Sequence, residues 1–295
     1  SFWHSRSSSS CSDPNRKIGT MESRPFGVGA PEVPVLGIGT WMMEQDPRSE
    51  AVAAIRRAVE LGMTHLDTAE MYGSGRVEEL VGEAIRGIRG KIFLVSKVLP
   101  SNASFQGTVQ ACERSLRRLG TDALDGYLLH WPSSHPLEET IRGFEKLKTD
   151  GKIRSYGVSN FDVEGMEKAV AIAGPGRIAC NQVLYHLEER TVEHAVLPWC
   201  EERGIAVVAY SPLCAQRFPE SPVLREIAAA RHATPRQLAL SFLLRRPTVF
   251  AIPKTSSLAH LEENARAASI RLLDDEVRAI GAAFPRGPWR GLATA

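Results

Sequence analysis

Between Val35 and Ala267 the chain repeats one pattern eight times: a short apolar run without polar alternation, then a stretch with helical periodicity. The apolar runs are Val35–Gly39, His65–Asp67, Ile92–Lys97, Gly126–His130, Ser155–Ser159, Ala179–Val183, Ile205–Tyr210 and Val249–Pro253. The helical stretches after them are Ser49–Leu61, Arg76–Ile85, Ser104–Leu119, Pro136–Asp150, Val163–Ala173, Val192–Arg203, Thr234–Arg245 and Leu258–Ala267. Gly62, Gly120, Gly151 and Gly204 stop helices, and Pro136 and Pro235 open them, as the asymmetry between helix ends requires. Strands apolar on both faces belong to parallel sheets covered on both sides. Eight such units predict an α/β fold of the (β/α)8 TIM-barrel type. Two short extended segments, Pro25–Val28 and Val33–Leu36, predict an N-terminal hairpin. Further helices are expected within Pro219–Arg231 and over Asp274–Phe284.

The competing fold is a doubly wound sheet, which would carry a glycine fingerprint. Gly37-Ile38-Gly39 is the nearest candidate, and Met42 stands where the third glycine belongs, so G-x-G-x-x-G fails. Dinucleotide binding must then be done without that fold. No apolar run approaches the roughly 20 residues that span a membrane. A net charge of +2 without a basic block gives no nucleic-acid signature. Cys11, Cys112, Cys180, Cys200 and Cys214 are dispersed without CxxC spacing, which indicates neither a metal site nor a disulfide framework and suits a reducing cytoplasm. Ser1–Thr20, with its serine run and no apolar core, reads as a disordered leader; residues 21–295 read as one barrel domain.

Active sites of such barrels lie at the C-terminal ends of the strands. Those ends read, in order, Thr40-Trp41, Asp67 with Tyr72 in its loop, Lys97, His130-Trp131, Ser159-Asn160, Gln182, Tyr210-Ser211 and Lys254. Taken singly, Lys97 reads as a solvated lysine, His130 as a core histidine and Asn160 as a helix cap. The convergence of Asp67, Tyr72, Lys97 and His130 from adjacent strands is not explained that way. Together they suit delivery of a proton to an oxygen. A free tyrosine titrates near pH 10, and Lys97, fixed by Asp67, is expected to lower that value. A lowering of about three units corresponds to about 4 kcal/mol. His130 can donate to a substrate oxygen or relay a proton. With no metal-ligand cluster and no nucleophile–base pair in this set, the electrons must come from elsewhere. Ser159, Asn160 and Gln182 can hold a carboxamide, Tyr210 can stack on a nicotinamide ring and Lys254 can meet phosphate.

With these residues in place the sequence resembles the aldo-keto reductase family, in order, from Val33 to Phe284. The matching stretches are GIGTW (Gly37–Trp41), LDTAEMYG (Leu66–Gly73), VSKV (Val95–Val98), DGYLLHWP (Asp125–Pro132), GKIRSYGVSNF (Gly151–Phe161), NQVLYH (Asn181–His186), AYSPL (Ala209–Leu213) and IPKTSSLAHLEEN (Ile252–Asn264). The resemblance implies reduction of aldehydes or ketones to alcohols with NADPH. It makes Tyr72 the proton donor, Lys97 and Asp67 its modifiers, and His130 the group that orients the carbonyl. It also implies that Thr40, Trp41, Ser159, Asn160, Gln182, Tyr210, Ser211, Leu213, Lys254, Thr255, His260, Glu263 and Asn264 line the cofactor groove. Many members carry an arginine near His260 for the 2′-phosphate; the histidine here leaves room for NADH as a second donor. The loops resemble those of bacterial reductases of small carbonyls such as methylglyoxal, with Trp41 and Trp131 as apolar walls beside the substrate. The tail Pro285–Ala295, with Trp289, is expected to fold over the pocket. A small-molecule carbonyl is the expected partner, with neither nucleic acid nor membrane, and the chain is expected to be a monomer or weak oligomer.

Two other readings use the same residues. A cofactor-sensing regulatory protein on this fold would bind nucleotide with negligible turnover. A hydrolase using Asp67 and His130 would need a metal or a second carboxylate at a strand end, and the only nearby candidate, Glu70, lies on the loop.

Overall fold

The computed structural model describes residues 21–214 and 217–294, so the leader expected over Ser1–Thr20 lies outside the described residues. β1 (Ser23–Pro25) and β2 (Glu32–Pro34) form the antiparallel hairpin, Ser23 opposite Pro34. Both strands are shorter than expected. After Pro25 the chain turns at Gly27 (φ 109) and buries Phe26 rather than extending to Val28.

Eight parallel strands follow: β3 (Gly37–Gly39), β4 (His65–Asp67), β5 (Phe93–Val98), β6 (Leu124–Leu129), β7 (Ile153–Ser159), β8 (Ile178–Leu184), β9 (Ala206–Tyr210) and β10 (Val249–Ala251). Each pairs with the next in sequence. Parallel bridges Leu36↔Ala251 and Gly39↔Lys254 join the last strand to the first and close the barrel. The helices between them are α1 (Arg48–Glu60), α2 (Arg76–Ile85), α3 (Phe105–Leu119), α4 (Leu137–Thr149), α5 (Val163–Ala173), α6 (Val196–Glu202), α7 (Pro222–Arg231), α8 (Pro235–Leu244) and α9 (Leu258–Ala267), with α10 (Asp274–Ala283) at the end. Side-chain caps mark many starts: Ser104, Asp162, Ser221 and Ser257 each accept a backbone N–H, and Thr234 forms a capping box with Gln237. α6 begins at Val196, later than expected, because Thr191–Glu193 forms a separate 3-10 turn.

Two apolar layers result from the period of two along each strand. Leu66, Leu94, Tyr127, Leu129, Tyr156 and Val158 face the helices. Val95, Leu128, Cys180, Val208, Phe250 and Ile252 fill the barrel interior. Its floor is an aromatic cluster in which Phe26, carried in from the hairpin, packs on Phe93, Phe250 and His65 at centroid distances of 4.8, 5.1 and 5.3 Å.

His65 is fully buried there, and neither ring nitrogen has a hydrogen-bond partner. Burial, reinforced by Lys97 and only partly opposed by Asp67, pushes its pKa down to about 4. The native state therefore refuses a proton that the unfolded chain accepts below pH 6.5, and stability present above that pH is lost as pH falls. Between pH 7 and 5 this costs about 2 kcal/mol. In His65→Met the fall in unfolding free energy over that interval, read by urea titration, should be smaller by this amount; an unchanged pH dependence would place the titration elsewhere.

Candidate active site

The inward parity of the strands decides which side chains reach the mouth. Two residues beyond His65, Val95, Leu128, Gly157, Cys180 and Val208 come Asp67, Lys97, His130, Ser159, Gln182 and Tyr210. Each therefore points to the same interior as the core residue below it. Tyr72 reaches the same place from the loop after β4. Three successive left-handed residues, Gly73 (φ 55), Ser74 (φ 56) and Gly75 (φ 92), reverse the chain immediately after it. Only glycine adopts such angles without steric cost, and two of the three are glycine.

Lys97 is completely buried. Its ammonium has three N–H groups, and all three are spent: on Asp67 Oδ1 at 2.6 Å, Thr68 O at 2.8 Å and Tyr72 Oη at 3.2 Å. Burial works against the charge, but Asp67 and Tyr72 overcome it and hold the Lys97 pKa above its ordinary value. The other oxygen of Asp67 accepts from Gln182 Nε2 at 2.8 Å. The carboxylate is thus clamped between a cation and an amide, and its cation is aimed at the phenol.

Tyr72 departs from the sequence expectation. Lys97 does pull its pKa down, but burial outweighs that pull, and the Asp67 charge adds to burial, so the phenol titrates above pH 10. Residue types show the charges near a group; they do not show how far water is excluded from it. A donor gains from this balance. The proton stays on Tyr72 until it is needed, and Lys97 stabilises the phenolate left behind.

His130 packs edge-on against Tyr72, with centroids 5.8 Å apart. Its Nδ1 is enclosed without a partner, and the ring lines the cleft, where Nε2 is the nitrogen available. Burial, with Lys97 adding to it, drives its pKa down to about 2. A neutral imidazole results, able to donate to an oxygen without carrying charge into the site.

On the other side of the mouth the polar groups form a chain. Ser159 Oγ donates to Gln182 O at 2.9 Å, and Asn160 Nδ2 donates to His130 O and to Ser159 Oγ. Tyr210 Oη donates to Asn160 Oδ1 at 3.0 Å. Asn160 adopts φ 62, a left-handed conformation that asparagine tolerates better than most residues.

These residues open onto a cleft of about 580 Å³. Thr40, Trp41, Asp67, Tyr72, His130, Trp131, Ser159, Asn160, Gln182, Tyr210, Ser211, Leu213 and Lys254 line it. Lys97 lies behind Asp67 and Tyr72. A second hollow, about 690 Å³ and lined by Leu187, Arg217 and Phe284 among others, shares none of these residues. Among the described residues no group of His, Cys, Asp or Glu is placed to hold a metal, and no helix is long and apolar enough to cross a membrane.

Thr255, His260, Glu263 and Asn264 are not part of the lining. Thr255 Oγ1 accepts from Ser257 N, and His260 is exposed in the first turn of α9, its N–H on the Ser257 cap. Glu263 accepts from Thr234 Oγ1, and Asn264 is buried within α9. The tail does not cover the mouth: Gly287 O meets His194 Nε2 at 3.0 Å, Trp289 packs on the His194 ring, and neither lines the cleft. The structure adds Met42, Asp46, Met71, Cys214, Phe218 and Arg236 to the walls. No strand-end rule points to them, because they come from loops and from the first turn of α8.

The aldo/keto reductase family model matches residues 35–284, the whole barrel. The chain belongs to the aldo/keto reductase family. It is 45% identical over 264 residues to the methylglyoxal reductase YeaE of Escherichia coli, covering 87% of this chain and 93% of that protein. With the glyoxal reductase of Bacillus subtilis it shares 34% over 254 residues, 85% of this chain and 89% of the other. An aldo-keto reductase of Klebsiella pneumoniae crystallised with NADPH superposes with a TM-score of 0.88 at 43% identity, covering 94% of this chain and all of that one. This aldo/keto reductase is an oxidoreductase that uses NADP(H) for carbonyl reduction. The cleft fits that cofactor: Gln182 spends its amide nitrogen on Asp67 and retains a carbonyl oxygen to accept, and Asn160 and Ser159 stand beside it. Lys254 lies on the wall beyond.

Proposed function

We propose that the enzyme reduces small aldehydes and α-dicarbonyls, methylglyoxal among them, to alcohols, as an alcohol:NADP oxidoreductase. The observation that carries this reading is the Lys97 ammonium bound at once to Asp67 and to the Tyr72 hydroxyl at the floor of an open cleft. A nicotinamide held in the cleft would supply the hydride that the carbonyl carbon receives. Tyr72 gives its proton to the carbonyl oxygen, and Lys97 holds the phenolate that remains. His130, neutral, donates from Nε2 to the same oxygen and orients it. Ser159, Asn160 and Gln182 would hold the carboxamide, Tyr210 the ring face, and Lys254 a phosphate. Trp41 and Trp131, 45% and 38% exposed, stand with Met42 and Met71 as an apolar rim. Such a rim suits small carbonyl compounds, with little polar specificity. Buried thiols at Cys112, Cys180 and Cys200 suit a reducing cytoplasm, where we place the enzyme as a monomer or weak oligomer.

The test is the initial rate of NADPH oxidation with methylglyoxal and a panel of aliphatic and aromatic aldehydes. Carbonyl-dependent oxidation is expected. Nucleotide binding with no oxidation by any carbonyl would favour a sensor instead.

A further inference from the structure

Lys254, the cation expected to meet phosphate, already has a carboxylate partner. Asp46, in the loop between β3 and α1, accepts from Lys254 Nζ at 2.7 Å and from Ser256 Oγ at 2.6 Å, both on the same oxygen. The pair ties the first βα loop to the last across the seam where Gly39 bridges Lys254. Asp46 and Lys254 both line the cleft and are about one-third exposed, so a ligand can reach them. Burial raises the carboxyl's pKa, but the bonds from Lys254 and Ser256 overcome it and leave the group ionised at neutral pH. No arginine occupies the first turn of α9, which reads Leu258, Ala259, His260.

An anion arriving at Lys254 must therefore displace Asp46 or sit beside a like charge. A ribose hydroxyl meets the opposite situation. It can donate to Asp46, as the acidic residue of dinucleotide-binding sheets accepts from a ribose 2′-hydroxyl. We propose that Asp46 is a specificity-determining residue for the cofactor: it accepts the adenosine 2′-hydroxyl of NADH and competes with the 2′-phosphate of NADPH for Lys254 and Ser256. This rests on the reading above that sets a cofactor phosphate against Lys254. The enzyme then uses both nucleotides, with an NADPH preference held below what Lys254 alone would give.

The experiment is a fluorescence titration with NADPH, NADH, 2′-phosphoadenosine and adenosine, without carbonyl, on the full chain and on Asp46→Asn. Removing the repulsive element while keeping the shape should tighten NADPH and 2′-phosphoadenosine about ten-fold and weaken NADH about three-fold. Asp46→Ser, checked by thermal melting, guards against a folding defect peculiar to asparagine and should act in the same direction. Equal changes for NADPH and NADH would overturn the inference, since Asp46 would then only hold the two loops together. Weaker NADPH binding would overturn it too, since Asp46 would be orienting Lys254 toward the phosphate. If Asp46→Asn changes neither and Arg236→Met selectively weakens NADPH, the phosphate sits at Arg236 and the inference falls. A parent enzyme that binds neither dinucleotide would remove the cofactor reading itself, an outcome distinct from all of these.

Discussion

In Tyr72→Phe, kcat for carbonyl reduction should fall about 10³-fold, with the dissociation constant for NADPH within about two-fold of the parent. Only one oxygen is removed. Asp67 keeps both partners, Lys97 Nζ and Gln182 Nε2, so the charge pair stays compensated and the fold should be undisturbed. The hydrogen bonds that link Ser159, Asn160 and Tyr210 are made between other atoms than the lost hydroxyl. What disappears is the donor and, with it, the anion that Lys97 is placed to stabilise. His130 cannot take over efficiently. Its depressed pKa means that it carries no spare proton at neutral pH, and giving up its Nε2 proton would create an imidazolate in a buried site. Steady-state NADPH oxidation and a separate nucleotide titration check both halves. A loss smaller than about ten-fold would transfer the proton-donor role away from Tyr72.

The barrel and the strand-end residues were legible because both depend on short-range rules. Apolar runs without alternation specify buried parallel strands, and the period of two then fixes which strand-end side chains face inward. Lys97 follows Val95, and His130 follows Leu128, so their direction can be read from residue order. Past the strand ends the rule lapses. Glu263 and Asn264 lie on α9, and which face of that helix meets the groove depends on its rotation against α8, where Thr234 and Gln237 hold Glu263. The sequence places Asp46 seven residues beyond Gly39 and cannot show that a 3-10 turn at Met43–Gln45 swings it back to Lys254. The tail shows the same limit, because its partner His194 is far away in sequence. The Tyr72 acidity failed for another reason. Lys97 and Asp67 were visible as charges, but exclusion of water, which reverses the net shift, is a property of the packed barrel.

Lys97→Met separates the structural from the chemical work of the buried pair. Methionine fills the volume of the lysine stem and removes its charge. Asp67 is then buried with Gln182 as its remaining side-chain donor, and breaking a buried pair in this way costs about 3–5 kcal/mol of stability. The rate should fall as well. At 3.2 Å the attraction between the ammonium and a phenolate oxygen is about 5 kcal/mol at an effective dielectric constant of about 20, enough for a loss of about 10³-fold. The two losses have different remedies. Adding Asp67→Asn removes the orphaned carboxylate, so the double variant should recover most of the stability, read as the urea midpoint. It should recover none of the rate, because an amide gives Tyr72 no positive charge to leave its electrons beside. Recovery of rate together with stability would make Lys97 a support for the barrel interior alone. Recovery of stability without rate would identify the ammonium as the group that makes a partly buried phenol, reluctant to ionise by itself, able to part with its proton at neutral pH.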